Sequence, residues 1–83
     1  MRRSRLDIIE DVLNAASGGA IKTYIMHHAN LDSGQFSSYS DFLIERHLLE
    51  KRYGDSITYK TTPKGQRFLK DKNNITELLI PEK

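Results

Sequence analysis

Gln35, Ser37 and Ser38 are three hydrogen-bonding side chains within four residues of chain, and none stands beside a group that would make it a nucleophile or a base. Their chemistry is recognition: glutamine presents a donor and an acceptor side by side, and a serine hydroxyl does either. The other candidates are weaker. His27, His28 and His47 invite a metal. Adjacent histidines on a helix point about 100° apart, however, and no cysteine or well-placed carboxylate completes a ligand set. A glycine-rich phosphate loop and an activated-nucleophile pattern are both missing, and the chain is short for a deep pocket. These features argue against an enzyme, a metal, a cofactor and a small-molecule substrate.

The charges say more. The 83 residues carry a net charge of +2, unevenly laid out. Arg2, Arg3 and Arg5 give the first five residues a charge of +3, and residues 49–72 hold seven Lys and Arg against three Asp and Glu. Clustered basic charge is the footprint of a polyanionic partner, although charge at this density also suits a plain solvated surface. The candidate contacts to such a partner are Arg2, Arg3, Arg5, Lys22, Lys51, Arg52 and Lys60, with Arg52 and Lys60 foremost. Lys22 opens a predicted helix, where its ammonium and the free amides of the first turn suit one anionic group.

Size allows one domain with a marginal core, which partner chains often supplement. No apolar run approaches the roughly 18 residues of a membrane span. Asp7, Glu10 and Asp11 interrupt the stretch after Met-Arg-Arg-Ser-Arg, unlike a signal peptide. With no cysteine, disulfides are ruled out, which suits a cytoplasmic protein.

The elements that must position these groups are set by caps and periodicity. Ser4 and Asp7 form a start signal, after which Leu6, Ile9, Val12, Leu13 and Ala16 fall on one helical face. Ser17-Gly18-Gly19 ends that helix. Ala20 and Ile21 read as a strand of one or two residues, and a helix over about 22–29 carries Ile21, Ile25 and Ala29 at a spacing of four. Asn30 and Leu31 close it. Asp32 is an N-cap, Gln35 completes a variant capping box, and a helix over about 33–46 comes next. Phe36, Tyr39, Phe42 and Leu43 form its buried stripe, and Gly34, Ser37, Ser38 and Asp41 its outer face. Tyr24, Tyr39 and Phe42 read as core. Strands are expected over 48–53 and 56–61 around the turn Tyr53-Gly54-Asp55, with Ile57 and Tyr59 on the buried face. Thr62 and Pro63 then open a helix to about residue 79.

Helix, short strand, helix, helix, hairpin, helix is a mostly α chain with a small β hairpin, an α+β fold. It is the winged helix-turn-helix arrangement with an extended C-terminal helix. Residues 1–61 form the core and wing, and residues 62–83 the added helix, within one domain. In this arrangement the side chains near the start of the third helix read base edges in the major groove; glutamine suits adenine N6 and N7. Arginine is missing from that set, which points to weak sequence preference.

The runs RRSRLDIIEDVLNAA, GGAIKTYIM, ANLDSGQFSSYSDFLIERHLLEK and YKTTPKGQRFL resemble the small archaeal winged helix-turn-helix proteins. That family includes predicted transcription regulators and chromatin-associated dimers of about ten kilodaltons. The opening RRSRLDIIEDVL and the Thr-Pro-Lys-Gly at 62–65 are the most specific pieces, and the resemblance runs from Arg2 to about Leu79. It implies double-stranded DNA as partner, no catalysis, a nucleoid-associated location, and a homodimer joined by antiparallel C-terminal helices. The family usually has glycine where this chain has His47, so this residue either takes a left-handed conformation at some cost or the turn differs. Asp55 also leaves the wing tip less positive than phosphate contacts favour.

Phe68, Ile75, Leu78 and Leu79 are the candidate dimer contacts. They have two readings, packing on the first helix of the same chain or a seam between two copies. Phe68 and Leu69 are near enough to pack internally. Ile75, Leu78 and Leu79 lie about 10 to 16 Å further along, where apolar groups want a partner. The rival readings are a winged helix that docks a protein instead of DNA, and an RNA-binding or nuclease-accessory role.

Overall fold

The starts of three helices are fixed by short-range chemistry. Ser4 Oγ accepts from the Asp7 amide at 3.0 Å, while Asp7 Oδ2 accepts from the Ser4 amide at 3.2 Å. The same reciprocal pair recurs at Asp32 and Gln35, at 2.8 and 3.0 Å. Thr62 Oγ1 accepts from the Gly65 amide at 3.0 Å. Each pair satisfies amides that the first turn of a helix leaves without partners.

The computed structural model describes the backbone of residues 4–79 and the side chains of residues 4–71. Its elements are α1 (Arg5–Ala15), β1 (Ala20–Ile21), α2 (Lys22–Ala29), α3 (Ser33–Glu45), β2 (Leu49–Arg52), β3 (Thr58–Thr61) and α4 (Pro63–Leu79). The fold is the expected α+β winged helix-turn-helix with a long last helix. The short strand Ala20–Ile21 joins the hairpin in a three-stranded sheet, in the order β1-β3-β2, all antiparallel. Both hairpin strands are shorter than their sequence suggests.

The register fixes what each strand residue faces. Side chains alternate across a strand, and directly paired residues share a side. Leu49 pairs with Thr61, and Lys51 and Ala20 both pair with Tyr59. That side meets the helices: Tyr59 packs edge-on against Phe36 of α3, and Thr61 Oγ1 donates to the Leu13 carbonyl of α1 at 2.6 Å. Glu50 with Lys60, Arg52 with Thr58, and Ile21 with Thr58 occupy the other side.

The core is built from Val12, Leu13 and Ala16 of α1, Ile25 and Ala29 of α2, Leu31, Phe36 and Leu43 around α3, Leu49 and Tyr59 of the sheet, and Leu69 of α4. Several expected core residues lie outside it. Tyr24 is 54% exposed, because α2 turns Ile25 and Ala29 inward and Tyr24 falls a helical step away. Ile57 is 45% exposed, because it precedes β3, whose buried positions are Tyr59 and Thr61. Leu6 and Ile21 are half-exposed as well, one in the first turn of α1 and the other on the outward side of the sheet.

The turn after α2 and the turn after α3 each hold one residue in the left-handed region. Asn30 has φ 57° and His47 φ 63°. After α3, the His47 amide donates to the Ile44 carbonyl and the Leu48 amide to the Leu43 carbonyl, both at 2.9 Å. This is the Schellman arrangement, completed here by histidine instead of glycine.

Candidate nucleic-acid interface

The exposed face of α3 carries Gly34, Gln35, Ser37, Ser38 and Asp41, with Phe36, Ser40 and Leu43 buried beneath. Gln35 has a second duty: its Oε1 accepts from the Asp32 amide, so one of its polar atoms belongs to the cap. Ser37 keeps its hydroxyl at the surface while its carbonyl accepts from Ser40 Oγ at 3.2 Å. The cap thus engages Gln35 but neither serine hydroxyl on this face.

Cations stand on both flanks of α3. At its start, Lys22 Nζ lies 3.3 Å from Ser33 Oγ and 5.8 Å from the centre of the Phe36 ring. Lys22 is the first residue of α2, and the preceding Ile21 supplies no side-chain cap to that helix. Lys51 shares the helix side of the sheet and lies 5.8 Å from the Tyr59 ring. On the other flank Arg5 lines a shallow hollow of about 130 Å³ with Ser38, Tyr39 and Phe42.

Arg52 and Lys60 are placed differently. The register turns both to the side of the sheet away from the helices, around Glu50. Arg52 Nη2 sits 3.5 Å from Glu50 Oε1, and Lys60 pairs directly with Glu50 across the ladder. Exposed pairs of this kind contribute about 1 kcal/mol at most, but they partly cancel the local field. Sequence alone puts this pair foremost; the register makes Lys51 the wing cation on the α3 side.

Arg46 is a cation that charge clustering along the chain does not single out. Its guanidinium stacks 3.7 Å from the Phe42 ring centre, and Nη1 donates to the Phe42 carbonyl at 3.4 Å. The i to i+4 spacing of Phe42 and Arg46 is the signal that could have found it. The stack and that bond hold the guanidinium against the last turn of α3.

Phe68 is half-buried and packs against the core of its own chain. Ile75, Leu78 and Leu79 lie outside the residues whose side chains are described, and Arg2 and Arg3 lie outside the described residues altogether. Among the described residues no group of histidine and acidic side chains could hold a metal, and no helix is long and apolar enough to cross a membrane.

Two short helices across a tight turn, a hairpin after the second, and a first strand closing the sheet define a winged helix-turn-helix. This chain belongs to the winged helix-turn-helix family, whose model matches residues 2–79. It is similar to two uncharacterized proteins of the archaeon Methanocaldococcus jannaschii, MJ0290 and MJ0287, with 32% identity to each. The alignments cover 100% and 94% of this chain, and 38% and 78% of those proteins. The chain therefore spans well under half the length of MJ0290. It also shares its fold with Sso10a-2, described as a DNA-binding protein from Sulfolobus solfataricus, at a TM-score of 0.70 and 22% identity over 96% of this chain and 100% of that one.

Proposed function

We propose that this chain binds double-stranded DNA as a homodimer, with α3 in the major groove and the wing on the backbone, as a transcription regulator or a chromatin-associated architectural protein. The observation that carries this reading is the outer face of α3. Small hydrogen-bonding side chains, Ser37 and Ser38 with Gln35, are bracketed by Lys22 and Lys51 on one side and Arg5 on the other. Phosphate contacts supply position and most of the affinity, and side chains near the recognition-helix start supply readout. The description of Sso10a-2 as a DNA-binding protein supports it. Self-association rests on α4, which at 17 residues is about 25 Å long, and on the apolar Ile75, Leu78 and Leu79 in its second half.

Exposed acids, Asp41 on α3 and Asp55 at the wing, favour the rival in which the same surface docks a protein. Fluorescence anisotropy of a mixed-sequence duplex at several salt concentrations separates the two. With 6 to 10 phosphate contacts per dimer, affinity is expected to fall by about 10³ to 10⁵ between 50 and 200 mM salt. Absence of binding at 50 mM salt would overturn the DNA reading in favour of the protein-docking one. Sedimentation at twice the 9.6 kDa chain mass is the expected result for the dimer, and a monomer would contradict it.

A further inference from the structure

A row of cations and rings leads from the start of α3 out to the wing tip. Lys22 Nζ stands 5.8 Å from the Phe36 ring centre, and Phe36 meets Tyr59 edge-on with ring centres 5.1 Å apart. Lys51 Nζ then lies 5.8 Å from Tyr59 and 5.6 Å from Tyr53. Phe36 and Tyr59 are buried and anchor the row in the core. Tyr53 is different: it is 75% exposed, so its ring has little part in holding the fold together. Alternation along β2 puts residues 49 and 51 on the α3 side, and the Tyr53 ring, one residue past the strand, lies beside the Lys51 ammonium, so the two face the same partner as the exposed face of α3.

Charge at the tip shapes what this ring does. Asp55 lies two residues beyond Tyr53 and is exposed, which disfavours a phosphate at the tip itself. A ring is not penalised in that way. We propose that Tyr53 is a DNA-contacting residue of the wing, its ring packing on the deoxyribose of the strand that passes the hairpin while Lys51 beside it takes the adjoining phosphate. This rests on the DNA-binding reading and adds to it an apolar wing contact next to the cationic one at Lys51. Aromatic contacts to nucleic acid tolerate sequence, since every nucleotide offers a sugar and a base face.

The test is duplex anisotropy at several salt concentrations for the full chain, Tyr53→Ala, Tyr53→Phe and Lys51→Ala, with thermal melts to confirm folding. Tyr53→Ala is expected to weaken binding about tenfold at every salt concentration with an unchanged salt slope. Tyr53→Phe is expected to stay within about twofold of the parent, because the ring remains. Lys51→Ala is expected to lower the slope by about 1. Parent-like binding by Tyr53→Ala would overturn the proposal while leaving duplex binding intact. A lowered slope in Tyr53→Ala would also overturn it, because the ring would then act only by holding Lys51. If the parent chain binds no duplex, the DNA reading fails and this inference fails with it.

Discussion

The two ends of α3 are built by different means. Its start is capped by neighbours in sequence: Asp32 and Gln35 exchange hydrogen bonds across three residues. Its end has the local Schellman bonds and, in addition, is held by residues far along the chain. His47 sits at φ 63°, a conformation that costs an L-residue about 1–2 kcal/mol. Thr62 Oγ1 donates to the His47 carbonyl at 2.6 Å, Lys64 Nζ to the Arg46 carbonyl at 3.1 Å, and the Thr62 amide to the Leu48 carbonyl at 3.1 Å. The first turn of α4 therefore grips the turn that aims the wing. The start of α3 is set by its neighbours in sequence, whereas the angle between helix and wing is set by tertiary contact.

Gly65 should show this most sharply. A Cβ there would collide with the Leu48 carbonyl oxygen and approach Thr61 Cγ2 to 2.6 Å. The obstacle is backbone, which cannot swing aside. Gly65→Ala is expected to destabilise by about 2 kcal/mol in urea unfolding despite the better helix propensity of alanine. A neutral result would mean that α4 does not seat against the turn as described. Asp32→Ala removes the cap at the other end and is expected to cost about 1 kcal/mol, with faster amide exchange confined to the first turn of α3. Exchange that rises equally at the wing would break the distinction between the two ends. The smallest effect has the opposite sign. His47→Gly removes the left-handed penalty but adds freedom to the unfolded chain, for an expected net gain of about 0.5 kcal/mol. A loss of stability would show that the His47 side chain contributes more to the turn than its backbone strain takes away.

Legibility in the sequence obeys the same division. The three start signals, Ser4 with Asp7, Asp32 with Gln35, and Thr62 before Pro63, are local and can be read as written. The left-handed His47 is readable as one of two possibilities. Register is not. It is set by where β2 pairs with β3, Lys51 opposite Tyr59 and Glu50 opposite Lys60, and it decides that Lys51 faces the helices while Arg52 and Lys60 face outward. Tyr24 reads as core because aromatic residues at helical spacing usually are, yet an eight-residue helix has room for only a narrow inward side. Ile57 misleads for a similar reason, since β3 begins one residue after it. The row from Lys22 to Tyr53 joins α2, α3, β3 and β2 and has no signature along the chain.

The measurement that bears most directly on the central claim is amide chemical-shift mapping of the labelled chain as a DNA duplex is added. The expected result is shifts concentrated at Lys22, at Ser33 through Asp41, and at Lys51 through Tyr53, with Arg52 and Lys60 moving less than Lys51. Shifts confined to the outward side of the sheet around Glu50, or spread over α1 and α4 with the face of α3 silent, would contradict it.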